Sequence, residues 1–156
     1  MPSPTISHLI CTAALLLLIF VLPIAYFPVI ENVQASMMAK ELKEVADYVA
    51  NTFENLYLLT RNASGVYVFV KKELRIPRMI KDSFYSVEIV RDSNGYALGI
   101  HAYMDSKPYI SGESWLIGGL KVKDVLIVDS SFSGLIFACC ERRGGEVYVC
   151  FSLVRE

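Results

Sequence analysis

LICTAALLLLIFVLPIAYFPVI, residues 9–30, is the stretch that decides how this chain is built. It contains no charged side chain. At 1.5 Å rise per residue its ~22 residues match a hydrocarbon core of ~30 Å, so a transmembrane helix is expected. Pro23 and Pro28 each withdraw a backbone donor, and kinks are expected there, of the kind that membranes tolerate where neighbouring helices or water satisfy the freed carbonyls. A cleaved secretory signal is the competing reading, because Val33-Gln34-Ala35 ahead of Ser36 has the small-residue spacing of a signal-peptidase site. Against cleavage, residues 1–8 hold no Lys or Arg. The apolar run also exceeds the ~7 to 15 residues of a signal h-region. Charge does not orient the span: no basic residue precedes it, and Lys40 and Lys43 follow among Glu31, Glu41, Glu44 and Asp47.

The apolar excess of the whole chain, 54% hydrophobic residues with a mean hydropathy of +0.42, is concentrated in this stretch. Of 156 residues, roughly 90–100 are then left for a globular core, enough for one small domain. Fifteen basic residues against sixteen acidic ones give a net charge of −1, so no overall field draws the chain to nucleic acid.

Beyond residue 30 the helical rhythm continues. Leu42, Val45, Val49, Phe53 and Leu56 recur at spacings of three and four and share one face, with Lys43, Glu44, Asp47, Asn51 and Glu54 elsewhere. One long helix is predicted, transmembrane over 9–30 and an amphipathic stalk over 31–62, after a short lead over 1–8. Two partners compete for its apolar stripe: the chain's own β domain, and neighbouring copies for which the stripe is an assembly face.

At Gly65 the helix ends and the period changes to two. Strands are predicted at 66–70, 74–76 (stopped by Pro77), 84–90, 109–110, 115–117, 122–128, 135–140 and 147–154. With Asn94-Gly95 as a two-residue loop, Tyr85, Val87, Ile89 and Arg91 share a side with Met104, Ala102, Ile100 and Leu98. Ser86, Glu88 and Asp92 then lie with Tyr103, His101 and Ala97, so that one face is apolar and one polar. The fold class is therefore α+β: a long N-terminal helix followed by a small antiparallel β-sandwich or barrel-like domain over 63–156.

Chemistry is sparse. Cys11 lies in the span and reads as a small apolar residue. A Gly144-Gly145 loop places Cys139 across from Cys150 on the outer face and turns Cys140 inward with Ile136, Val147, Val149, Phe151 and Leu153. A Cys139–Cys150 disulfide is one outcome, although this register makes the pair a hydrogen-bonded one, where such bridges are strained. Metal spacing is absent, since Cys139 and Cys140 are adjacent and the chain has two histidines. His101 faces Glu88 and suits a cross-strand contact better than a Cys-His catalytic pair. No enzyme, cofactor or small-molecule substrate is indicated. Asn62-Ala63-Ser64 is an N-glycosylation sequon. Tyr103, Tyr109 and Trp115 are read either as filling a small core or as a contact surface.

The layout as a whole, with the lead SPTISHLI (3–10), an apolar helix running into the amphipathic one of AKELKEVADYVANTFENLYLLT (39–60) and a β domain whose clearest strand comes with LRIPRMIKDSFYSVEIV (74–90), resembles the archaeal type IV pilin-like membrane proteins. The resemblance rests on organisation across the chain. It implies an exported β domain, anchorage by the N-terminal helix, and assembly by helix packing into pili, archaella or associated surface machinery. Residues 1–8 lack the Lys or Arg followed by Gly or Ala that prepilin peptidase recognises, and Thr12 and Ala13 stand where many bacterial pilins carry a glutamate. A minor pilin-like component, or an archaellum-stator-like protein left uncleaved in the membrane, is thereby implied. The expected function is that of a non-enzymatic structural or interaction protein of the archaeal cell surface, with adhesion or filament roles and glycosylation. Its partners would be the lipid bilayer and further copies or other pilin-like subunits. The alternative is a membrane-anchored extracytoplasmic ligand-binding or sensor domain, with a pocket around Tyr109 and Trp115.

Overall fold

The computed structural model describes residues 4–123 and 127–155. Helix α1 runs over Pro4–Asn62 and continues through both Pro23 and Pro28. Eight strands follow: β1 Tyr67–Glu73, β2 Tyr85–Arg91, β3 Ala97–Met104, β4 Ser111–Trp115, β5 Leu120–Val122, β6 Ile127–Asp129, β7 Gly134–Arg143 and β8 Glu146–Arg155. They form two four-stranded sheets, ordered β1-β7-β8-β5 and β4-β3-β2-β6, antiparallel except for the β5–β8 pair. The arrangement is α+β.

The chain divides into two compact units, Met1–Met37 and Met38–Glu156. Helix residues from Met38 onward thus belong to the same compact unit as the strands, so the boundary between units falls within the expected 31–62 stalk. Physically, neither sheet closes its own core. Leu42, Val45, Val49, Phe53 and Leu56 are all buried within this unit, as are Ala46 and Ala50 between them. The Phe53 ring lies 5.4 Å from that of Phe151 on β8. On the other sheet, β4 approaches so closely at Gly112 that a Cβ there would stand 2.3 Å from the Lys43 amide nitrogen. Only a residue without a side chain fits that contact.

The β2–β3 pairing follows the expected register from Tyr85↔Met104 to Ile89↔Ile100 and departs from it at the tip. The Asp92 carboxylate accepts the amides of Asn94 and Tyr96, at 2.9 and 2.7 Å. This Asx turn, with Gly95 alone at positive φ (82°), replaces the primed two-residue loop. A bulge falls between Val90 and Arg91, so Arg91 pairs with Ala97 rather than Leu98. Ala97 is therefore buried and Leu98 exposed, the reverse of the expected alternation.

At the other hairpin, Gly144 and Gly145 have φ of 63° and 89°, as a primed turn requires, and Arg143 pairs with Glu146 as expected. Two of the short predicted strands, 74–76 and 109–110, are loop, and of 115–117 only Trp115 is strand, as the last residue of β4. The 122–128 strand is replaced by β5 and β6, and residues 124–126 of it lie outside the described residues.

Candidate functional site

In the first unit the functional feature is a surface. Among the described residues one helix is long and apolar enough to cross a membrane, and none of its most apolar window is buried within the chain. Leu9, Leu17, Phe20, Ile24 and Phe27 are all exposed. Exposed apolar area on this scale is unfavourable in water and marks a site for lipid or for other helices. The segment is compatible with a single-pass membrane anchor. Cys11 is exposed on it, and the Thr12 hydroxyl is used locally, donating to the carbonyls of His8 and Leu9.

The stripe offered as an assembly face, Leu42, Val45, Val49, Phe53 and Leu56, is not a surface in this fold. Each of the five is at most 7% exposed, because both sheets pack on it. Of the two partners left open by the sequence, the chain's own β domain takes the stripe.

Sequence reasoning missed the device that ends this helix. Arg142 on β7 donates from Nη1 to the carbonyl of Arg61 (3.0 Å) and from Nη2 to those of Ala63 (2.7 Å) and Gly65. A guanidinium thus satisfies one carbonyl of the last helical turn and two of the segment that follows it, and its charge complements the negative end of the helix dipole. The signal was present only as an apparently misplaced arginine on an inward-facing strand position. Asn62, the sequon asparagine, is the last residue of α1 and is exposed.

On β7 and β8, Cys139 and Cys150 stand directly opposite one another, both as thiols. Cys139 is buried although it lies on the outer face, flanked by β1 on one side and β8 on the other. β1 places Lys71 across from it, with Nζ 4.9 Å from the centroid of the Phe137 ring. A hydrogen bond with Cys150, followed by the nearby Lys71 ammonium and the Ser152 hydroxyl, holds the Cys139 thiol down at about 7 against the opposing effect of burial. Cys140, on the inner face, is pushed up by burial despite a hydrogen bond with Thr60. Two residues along β7 from Cys139, the buried Glu141 carboxylate accepts from Lys123 at 2.5 Å.

The outer face of the β4-β3-β2-β6 sheet carries His101 between Glu88 and Glu113, with His101 Nε2 3.9 Å from the Glu113 carboxylate. Tyr109 and Trp115 do not fill the core: each is 77% exposed. Trp115 instead walls a shallow groove of about 130 Å³ with Val90, Leu98 and Glu113, floored by Gly99, and Tyr109 does not line it. This groove therefore takes one of the two aromatics and not the other. Among the described residues, no group of three or more His, Cys, Asp and Glu side chains is placed to hold a metal ion.

Comparison of the chain with protein-family models, curated proteins and solved structures found no match in any of the three.

Proposed function

We propose that this protein is a membrane-anchored structural or interaction subunit of a cell surface, pilin-like in organisation, held in the bilayer by residues 9–30 and assembled with other copies or related subunits through that same segment. One observation carries the reading. A single helix exposes its apolar residues over 9–30 and buries its apolar stripe over 42–56. The first half is thus the part left to meet lipid or other helices, and the second holds the β domain together. In lipid, helix association is driven by close packing, to which Ala13, Ala14 and Ala25 contribute small side chains. The archaeal setting and the extracytoplasmic β domain rest on the resemblance in layout, to which the exposed sequon at Asn62 adds a little support.

Photo-crosslinking residues placed at Phe20 and Ile24, in membranes of the native host, test the assembly. The expected product is a ladder of multimers from these two sites, and only intramolecular products from Val45 and Val49. Monomer alone from Phe20 and Ile24 would overturn assembly through the span. Protease added to intact cells should remove the β domain; full protection would place it inside.

A ligand-binding reading has one observation in its favour, the exposed Trp115 beside its groove. An aromatic wall next to a carboxylate is the mixture of apolar and polar groups found in small-molecule sites. Stabilisation of the protein by a ligand, abolished by Trp115→Ala, would favour that reading.

A further inference from the structure

The three cysteines of the β domain are sorted by position into different chemical circumstances. Cys140 faces the core and is sealed there. Cys139 lies between β1 and β8 with Lys71 directly across from it, and is 1% exposed. Cys150, its direct cross-strand partner, is half-buried and reaches solvent. A dissolved disulfide therefore meets Cys150 and cannot meet Cys139, yet the two thiols are hydrogen-bonded to one another.

We propose that Cys150 and Cys139 form an oxidation site that takes up a low-molecular-weight disulfide at Cys150 and closes to an intramolecular bridge through Cys139. In the first step Cys150 passes its proton to the hydrogen-bonded Cys139 thiolate, and the Cys150 thiolate so formed attacks one sulfur of the incoming disulfide. The S–S bond breaks, one thiolate leaves with the bonding pair and takes up the proton that Cys150 released, and a mixed disulfide remains on Cys150. In the second step the Cys139 thiolate attacks Sγ of Cys150, and the second thiolate leaves and is protonated in turn. Two protein thiols are oxidised to one disulfide, and one small-molecule disulfide is reduced to two thiols. Lys71 and Ser152 stabilise the Cys139 thiolate in the second step, when the Cys150 thiol is no longer there to donate a hydrogen bond.

The pair occupies a hydrogen-bonded position of the ladder, where two Cα atoms are held ~5.5 Å apart, within the range that disulfides span. The bridge it closes carries the torsional strain of such sites. It belongs with the readily reduced disulfides and not with permanent structural ones.

The test uses the full-length protein in detergent, with Cys11→Ser to remove the thiol of the helical segment, exposed to oxidised glutathione and read by intact mass and peptide fragmentation. The expected product with the other three cysteines in place is a loss of two hydrogens, localised to a Cys139–Cys150 link. Cys139→Ser should trap one glutathione on Cys150, and Cys150→Ser should leave Cys139 unmodified. A time course quenched with N-ethylmaleimide needs no variant at the pair itself, and should show the Cys150 adduct rising before the bridge and decaying as it forms. Four results would overturn the proposal: a glutathione adduct on Cys139 of folded Cys150→Ser, a Cys150 adduct that accumulates without closing, a link from Cys139 to Cys140, or no oxidation at either residue.

Discussion

Gly112→Ala is the sharpest probe of the helix–sheet contact. The Cβ added by this change would stand 2.3 Å from the nitrogen of Lys43, 2.5 Å from its Cα and 2.7 Å from the carbonyl carbon of Leu42. All three are backbone atoms inside a helix, so no rotamer change relieves the clash. The helix and β4 must separate by roughly 1 Å to restore ordinary contact. Overpacking of this kind costs about 1–3 kcal/mol, and the rigidity of both partners places the change toward the upper end. For a folded unit of this size that corresponds to a fall in Tm of roughly 4–12 °C. Thermal unfolding of the full chain in detergent, followed by circular dichroism, measures it. Gly118→Ala is the matched control, because nothing lies within 4 Å of its added Cβ, and it should stay within about 0.5 kcal/mol of the parent. An equal Tm for Gly112→Ala and Gly118→Ala would mean that α1 does not lie on β4, and the account of the stripe as core would fall with it.

Removal of the Arg142 cap should show as loss of protection at one helix end. Arg142→Ala leaves the carbonyls of Arg61, Ala63 and Gly65 without their donor, at a cost of about 2–3 kcal/mol. Amide exchange in residues 58–62 should accelerate, and unchanged exchange there would refute the cap. Tyr85 supplies a pH signature. Its phenol is buried and donates to the carbonyl of Pro77, and burial holds its ionisation well above the usual value for tyrosine. Only the unfolded chain ionises near pH ~10, so the folded state keeps its full stability below that value and loses it as pH rises beyond. The stability curve should bend downward above pH ~10. Tyr85→Phe should flatten the bend while lowering neutral stability by about 1 kcal/mol, and an unaltered alkaline slope would remove Tyr85 as its source. Trp115→Ala should leave stability within about 0.5 kcal/mol of the parent, as its side chain lies on the surface. A larger loss would return Trp115 to the core.

The α+β plan was legible because its signals are local. An uncharged apolar run, a stripe at three-and-four spacing and an abrupt change to period two need no knowledge of distant residues. The Cys139–Cys150 register was legible for the same reason, since two adjacent glycines in left-handed conformations fix every pairing of β7 with β8. At Asn94-Gly95 the same logic failed at one point: the Asp92 carboxylate captured two amides, and the resulting bulge reversed Ala97 and Leu98. The three-residue parallel pairing of β5 with β8 was out of reach, because its partners are distant in sequence and its alternation is too short to read. The stripe shows the limit most clearly. Periodicity says that Leu42 to Leu56 must be covered, and says nothing of what covers them.

That covering makes the N-terminal boundary of the foldable unit a testable quantity. A chain beginning at Ser64 would keep all eight strands and lose Leu42, Val45, Val49, Phe53 and Leu56. At about 1.5–3 kcal/mol for each large apolar side chain buried, the five together contribute roughly 7–15 kcal/mol. Compact structure in the unfolded chain lowers that figure somewhat. The sum is still comparable to the entire net stability of a small domain, about 5–15 kcal/mol. A chain over 64–156 should therefore be unfolded or aggregated in water, with poorly dispersed amide resonances and no cooperative melt, whereas one over 38–156 should fold and melt in a single transition. A cooperative transition from the shorter chain would show that the two sheets close on each other without the helix. The stripe would then be free to meet other copies, and the division of α1 into an exposed first half and a structural second half would no longer hold.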